Sequence, residues 1–338
     1  MKTSSLRLRP LATAILGTFI ASLAPSLNAQ TTATTDPVGF ITVNYTGNAD
    51  SFAYIPFKRT PEYAGAVVTP SGATTNTLTI AGTPNFAANQ FVYVPPVPPA
   101  ASTQPKTYYV LFTSGPKNGM YYTITSNTSN VLTLNTAGDD VSGTSGATFQ
   151  IIPYDTLNSI FPGGQGVNGS PGHGGAQRQT EILIPDNVNP GIDLAVAKTY
   201  YYYTGTAGSG PGWRLLGGGT GNIVNDDPLF PDNSFIVRNN VATATAVTYM
   251  GTVHMGNVST YISDPGVQQD NAVALPIASN LTLAQTKLFE SGAFAGSAGH
   301  GGGARRDQLL VWDNAVSGRD KAADRTYYYY TGSVAPGP

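Results

Sequence analysis

Three features of this sequence predict an all-β protein. The 39 glycines and 25 prolines are spread along the chain and separate short runs rich in Thr, Tyr and Val, the pattern of many short strands joined by turns. Almost nothing carries the apolar period of an amphipathic helix; the exceptions, residues 155–161 and 281–289, allow about two turns each. One strand-like stretch also occurs twice: Thr199-Tyr200-Tyr201-Tyr202-Tyr203-Thr204-Gly205 returns as Thr326-Tyr327-Tyr328-Tyr329-Tyr330-Thr331-Gly332. An offset of 127 lays residues 173–205 on 300–332 without a gap, with 17 of 33 positions identical. Each copy reads His-Gly-Gly, an apolar run, Asp-Asn, Gly-x-Asp and the tyrosine strand, so two copies of one structural unit are expected.

Taken in order, residues 1–29 have the layout of an export signal. Lys2, Arg7 and Arg9 form a positive start, residues 11–23 are apolar, and Leu27-Asn28-Ala29 is a cleavage site before Gln30. The apolar core is shorter than the roughly 20 residues of a spanning helix, and no later run reads as a transmembrane span. The expectation is an exported chain that is periplasmic, at the outer surface or extracellular. Removing the signal takes Lys+Arg from 17 to 14 against 19 Asp+Glu, and the net charge from −2 to −5. That argues against nucleic acid as a partner, which calls for a basic face. Cysteine is absent, so stability has to come from core burial, for which the chain is long enough.

Residues 30–64 open the first unit with a strand from Asp36 to Tyr45 and another over residues 51–57, whose two faces are both apolar. Residues 65–153 have a different texture. Short strands at 67–69, 78–80, 91–94, 108–113, 120–125, 131–135 and 149–152 alternate with turns such as Ser114-Gly115-Pro116-Lys117-Asn118-Gly119. That is a meander able to close into a small, SH3-like barrel; a polyproline-like connector falls at residues 95–99. In the second copy, Asn271-Ala272-Val273-Ala274-Leu275-Pro276-Ile277 matches residues 51–57 and runs almost directly into the short helix at 281–289. In the first copy that helix is residues 155–161. Residues 65–153 therefore read as a domain inserted at a loop of unit one, which resumes over 154–256 with strands at 180–184, 199–205, 213–216 and 234–238 and a long arm at 241–255. Unit two is residues 257–338. It has no counterpart of Trp213-Arg214-Leu215-Leu216 or of Phe235-Ile236-Val237-Arg238, and the expectation is a fragment, with a reading frame running on for about 25 to 40 residues. The predicted architecture is thus two related antiparallel β-sandwich-like units, the first carrying the barrel and the second truncated.

Several of these segments carry a resemblance. Thr35-Asp36-Pro37-Val38-Gly39-Phe40, Thr113-Ser114-Gly115-Pro116, Ile151-Ile152-Pro153-Tyr154, Ile184-Pro185-Asp186-Asn187, Ala197-Lys198-Thr199 with the tyrosines, Trp213-Arg214 and Phe235-Ile236-Val237-Arg238 together resemble a family of exported verrucomicrobial proteins known under a number and without assigned activity. The likeness implies a secreted bacterial β-protein and no catalytic residues. Members of that family typically complete the second unit with another Trp-Arg and an Arg-ended strand, from which this sequence departs. The inserted segment is similar to small barrels of phage-tail and cell-surface proteins, an analogy of fold.

Function has to be sought in the repeated motifs. Alternation along a strand sends Tyr200 and Tyr202 to one face and Tyr201 and Tyr203 to the other. Flat aromatic strips stack on sugar rings, which makes Tyr200, Tyr202, Tyr327, Tyr329 and Trp213 the candidate ligand-binding residues; the structural alternative is that the rings pack in the core or pair across strands. His173 and His300 sit at equivalent Gly-rich positions, but a catalytic base needs a nucleophile and an orienting carboxylate. Neither a Gly-x-Ser-x-Gly elbow nor a second His at metal-ligand spacing accompanies them. His254 falls in a strand pattern and reads the same way. Asp186 and Asp313, each with Asp193 or Asp320 seven residues on, are weak Ca²⁺ candidates. Their spacing matches no EF-hand loop, and turn formation accounts for Asp-Asn equally well. Gly217-Gly218-Gly219-Thr220-Gly221-Asn222 lacks the Lys-Ser/Thr of a phosphate loop. Of the glutamates Glu62, Glu181 and Glu290, Glu181 is replaced by Gln308 in the second copy, poor support for a paired-carboxylate hydrolase. No cofactor is implied. The leading expectation is a structural or interaction protein without catalysis, its partners envelope polysaccharide or a second copy of itself; carbohydrate binding through the tyrosine strands is the alternative.

Overall fold

The computed structural model describes residues 36–69, 71–93 and 106–333; the export segment and the proline-rich connector lie outside them. In chain order the first strands are β1 (Val38–Tyr45), β2 (Ala49–Ala53), β3 (Tyr63–Ala66), β4 (Thr77–Thr79), β5 (Tyr108–Phe112), β6 (Tyr121–Asn127), β7 (Val131–Asn135) and β8 (Thr148–Pro153). There follow β9 (Asp155–Thr156), a one-turn helix α1 (Leu157–Ile160), β10 (Thr180–Ile184), β11 (Lys198–Tyr203), β12 (Gly212–Leu215), β13 (Pro228–Leu229), β14 (Phe235–Asn239), β15 (Thr245–Thr252), β16 (Leu309–Val311) and β17 (Arg325–Tyr327). The protein is all-β and built of antiparallel sheets.

Unit one is a sandwich. Its main sheet has the order β12-β11-β10-β14-β2, and a ribbon of β1 paired with β15 covers one face. Alternation explains the core: Ile182, Tyr200, Trp213, Phe235 and Val237 point to the same side and meet Tyr45, Val247 and Tyr249 of the ribbon. Helix α1 begins where Thr156 and Ser159 form a reciprocal capping box, and its Leu157, with Phe161 just beyond, closes one end of that core. The Tyr45 and Tyr249 hydroxyls bond each other at 2.5 Å. Burial outweighs that bond and pushes the Tyr45 phenol up to about 12.

A second sheet, β3-β8-β5-β6-β7-β4, curls until its edges meet. Val67 bridges Ile80, and the N–H of Val68 donates to the carbonyl of Thr79 at 2.9 Å. Val110, Phe112, Ile124, Leu132, Phe149 and Ile151 fill it. A register shift between Ile124 and Ser126 supplies extra bend in β6. Of the strand expected at residues 91–94, the described residues 91–93 form none, and Val94 lies outside the described residues. Phe91 sits in a turn, where its N–H donates to the Asn127 side-chain oxygen at 3.1 Å, and its ring fills the core without joining the sheet. The outward-facing Tyr109, Leu111, Ile152 and Tyr154 make a separate cluster that Tyr121 extends toward unit one, where its hydroxyl donates to Asp232. A cavity of about 10 Å³ remains beside that bond, touched also by His254 and Pro276.

Unit two repeats unit one residue for residue where it is ordered into strands. β16 pairs β17 with Leu309 opposite Tyr327 and Val311 opposite Arg325; shifted by 127, these are Ile182 opposite Tyr200 and Ile184 opposite Lys198. Parallel bridges join Ser170 to Tyr203 and Ser297 to Tyr330. Asp193 and Asp320, at the ends of the two Gly-x-Asp motifs, share the left-handed conformation with φ of 51° and 52°, one that Asp tolerates better than most residues. The strand expected at residues 271–277 does not form; one bridge, Val273 to Asn233, marks it. The short helix expected at 281–289 shrinks to a 3-10 turn, Leu283–Thr286.

Candidate functional site

The candidate ligand residues of unit one lie inside the fold. Trp213 is 0% and Tyr200 2% exposed, and the Tyr200 hydroxyl donates to Asp227 at 2.6 Å. Tyr202 is half-buried, edge-on to Trp213, and packs where a Cβ on Gly164 would run into its ring. The β1–β15 ribbon and α1 cover that face of the sheet, so Tyr200 and Trp213 belong to the core and Tyr202 packs against it. In unit two the equivalent rings reach solvent, Tyr327 at 37% and Tyr329 at 44% exposed. One face of Tyr329 is taken by Phe289, stacked at 3.6 Å between centroids and 6° between planes. Val311 on the same face, and Leu310 on the opposite one, are also exposed.

The opposite face of each tyrosine strand holds a polar cluster that occurs twice. His173 Nδ1 lies 2.7 Å from the Tyr201 hydroxyl and its ring stacks on Tyr203 at 4.2 Å. His300 does the same with Tyr328 at 2.7 Å and Tyr330 at 4.2 Å. Arg178 and Arg305 sit over Tyr201 and Tyr328 at 5.8 and 5.0 Å and donate to the carbonyls of His173 and His300 at 2.9 and 3.0 Å. The loop thus folds back on its own strand, and its imidazole is spent on a phenol and a ring face. The glycine closing each motif, Gly205 or Gly332, lies where a Cβ would strike the Tyr203 or Tyr330 hydroxyl. Unit one adds Glu181, which accepts from Arg178 at 2.6 Å and from Asn240 at 3.0 Å; at Gln308 that ion pair has no equivalent.

The acidic candidates are spent on turns and on a contact between the repeats. Asp186 accepts the N–H and the side-chain amide of Asn189 at 3.0 and 2.7 Å and the N–H of Val188 at 2.9 Å, bonds that hold its carboxyl below the usual range. Asp313 accepts the N–H of Ala315 at 2.7 Å. Among the described residues no three His, Cys, Asp or Glu side chains converge as a metal site, and no helix is long and apolar enough to cross a membrane.

The adjoining asparagines have a role that no sequence pattern marks. Asn187 accepts the N–H of Ala272 at 2.8 Å and donates to its carbonyl at 3.1 Å. Asn314 accepts the N–H of Phe52 and donates to its carbonyl, both at 2.8 Å. Residues 52 and 272 are themselves equivalent in the repeat. The neighbouring contacts follow suit. Asp50 N–H donates to the Gly318 carbonyl and Asp270 N–H to that of Gly191, each at 2.9 Å. Asp320 N–H donates to Asp50, and Asp193 N–H to Asp270, again at 2.9 Å. Each unit's Asp-Asn–Gly-x-Asp loop grips the equivalent segment of the other unit, residues 50–52 of β2 or residues 270–272, the reciprocity of a two-fold, isologous contact. The amide side chain satisfies a backbone N–H and C=O as a neighbouring strand would, and so caps the outer edge of β2. Alignment of the two copies could have exposed the matched motif; its partner strand could not be read, because that contact is between units.

One difference breaks the symmetry. In unit one Asp50 also receives Arg238 in a forked pair at 2.7 and 2.8 Å, and Arg238 reaches Asp320 at 2.5 Å. Burial alone would raise the Asp50 carboxyl; the bonds from Arg238 and Asp320 and the charges of Arg238 and Arg319 more than offset it and hold the group low. Among the described residues Asp270 and Asp193 face no cation. A scan against protein-family models and searches of curated proteins and of solved structures return no match for this chain.

Proposed function

We propose that the chain is an exported surface or extracellular structural and interaction protein, without catalytic activity, that meets its partners through the tyrosine sheet of unit two. The observation that carries this reading is the exposure of Val311, Tyr327 and Tyr329, which alternation places on one face of a short hairpin and its continuation, an apolar and aromatic surface of the kind that marks interaction sites. Engagement of both loop histidines by tyrosine hydroxyls supports a structural part for them. Export, a place at the cell surface and membership of the verrucomicrobial family it resembles belong to the same proposal and rest on the sequence.

A second reading, carbohydrate binding, is favoured by one feature: Tyr329 keeps one ring face for a ligand while Phe289 fixes the other. The test of both is a pull-down of the chain without residues 1–29 against purified cell envelope and a panel of insoluble polysaccharides. Retention on envelope but on no glycan supports the interaction reading. Retention on a glycan that is lost in Tyr327→Ala and Tyr329→Ala, with circular dichroism unchanged, replaces it with glycan binding. Failure to be retained on either sinks both.

A further inference from the structure

We infer that unit two binds one extended polypeptide strand, of the pattern apolar-x-apolar-Arg, between β16 and residues 271–273. The inference rests on reading unit two as an interaction surface and names the occupant. In unit one that place is filled by β14, which pairs with β10 on one side and β2 on the other. There Ser51 and Ala53 lie opposite Val237 and Phe235, while Ile182 and Leu183 lie opposite Val237 and Ile236. The equivalents in unit two are Asn271, Val273, Leu309 and Leu310. Because Ala272 turns its own N–H and carbonyl to Asn187, the main-chain groups of Asn271 and Val273 face the opposite way, and among the described residues they have no backbone partner. β16 is paired along one edge, to β17. By the two-fold reciprocity of the clamps, residues 271–273 correspond to β2 and β16 to β10, which in unit one stand one strand apart. Strand addition at such an edge supplies main-chain hydrogen bonds, and alternate side chains supply selectivity.

The arginine follows from charge. Asp50 and Asp320 hold Arg238, and their equivalents Asp270 and Asp193 are linked by the same 2.9 Å bond from N–H to carboxylate. They offer a guanidinium the same fork of oxygens at the same end of the strand, and Arg is the side chain whose planar donors match it.

The probe is a synthetic peptide with the sequence of residues 233–240, Asn-Ser-Phe-Ile-Val-Arg-Asn-Asn, added to the whole chain and followed by fluorescence anisotropy and hydrogen exchange. Binding is expected, with new protection at the amides of Asn271, Val273 and Leu310. Replacing the peptide's Arg by Gln weakens it about tenfold, the scale of a charge-assisted fork. Asp270→Asn in the protein weakens the Arg peptide to the same degree and removes the preference between the two peptides. Because Asp270 is exposed, that variant keeps its fold. Equal binding of both peptides, an unaltered preference in Asp270→Asn, or protection confined to β2 and β14 each overturns the inference. So does a dimer in sedimentation that the peptide does not dissociate, since the edge is then taken by a second copy. Envelope retention that persists without peptide binding rejects the strand and leaves the interaction reading standing; loss of retention with peptide binding intact does the reverse.

Discussion

The hairpins β10–β11 and β16–β17 share their register, their four tyrosines and their histidine clasp, yet Leu183 is 5% exposed and its equivalent Leu310 38%. Tyr200 is buried and Tyr327 is not. The hairpin is not what buries these residues. In unit one β12 and β14 flank it; the β1–β15 ribbon, Phe161 and Trp213 cover the face of Tyr200, while Leu183 turns to the opposite face, in line with Ile236 of β14 and Phe52 of β2. In unit two Phe289 alone stacks on the tyrosine face among the described residues. The part that survives in both places is local: the clasp, the bridge from Ser170 or Ser297, and the left-handed Asp are made within the motif. The same residues are core or surface according to which strands lie beside them.

The most severe way to probe the contrast is to remove the centre of the unit-one core. Trp213→Ala is expected to cost about 3–5 kcal/mol, the range for a buried aromatic, read as a lower denaturant midpoint. The structure predicts that the His300–Tyr328 clasp survives it, so an NMR signal from His300 stays put while that of His173 moves. Concerted loss of both signals at mild denaturant would show that the units unfold together and that the comparison between them is only geometrical.

Leu183→Ala against Leu310→Ala is the cleaner test, because residue type and register are the same. The first is expected to cost about 2–4 kcal/mol and the second under about 1, since half-exposed leucine has less area to lose and leaves no closed cavity. Equal costs would mean that unit two buries its hairpin in solution. Next come the clamps. Asn187→Ala and Asn314→Ala each remove two bonds to backbone and are expected to cost about 1–2 kcal/mol apiece, the first somewhat more because Asn187 also donates to the Asn233 side chain at 3.2 Å. Faster amide exchange should appear at Ala272 in the first variant and at Phe52 in the second. An effect from one alone would dismiss the reciprocity.

Much of this architecture is legible in the order of the amino acids. Strand periodicity and the repeat locate β10, β11 and β14 to within a residue or two, because burial and alternation act locally, whereas the second tyrosine strand stops at Tyr327, short of the run through Gly332. Two things are not legible there. The side to which Tyr200 and Trp213 turn depends on the ribbon of β1 and β15, whose paired Tyr45 and Tyr249 lie 204 residues apart in the chain. The use of Asn187 and Asn314 depends on contact between repeats, and an Asp-Asn pair reads as an ordinary turn until its partner is seen. Residues 91–94 mislead for a related reason. An aromatic and β-branched run signals burial as readily as pairing, and Phe91 is buried without pairing.

The smallest expected effect concerns acid and falls on the unit-one side of the molecule. His254 follows β15; burial, and secondarily the charge of Lys58, lower its imidazole to about 4, with Asp36 pulling the other way. Its Nε2 has no hydrogen-bond partner among the described residues, so the neutral ring is the form the fold accepts. A histidine whose folded value lies below its unfolded value of about 6.5 contributes stability that is present above pH 6.5 and is lost as pH falls toward 4, because between those values the unfolded chain binds the extra proton. The slope approaches about 1.4 kcal/mol per pH unit for one such group, so lowering pH from 6 to 5 should cost about 1 kcal/mol. Denaturant melts across that interval, repeated with His254→Leu, check it. The variant should flatten the dependence, and the slope should be read at the Tyr121–Asp232 junction beside the imidazole, leaving the His300 clasp of unit two unchanged. A pH slope that survives the substitution would assign the acid sensitivity elsewhere; one that also disturbs unit two would mean that the clamps transmit loss of structure from one repeat to the other.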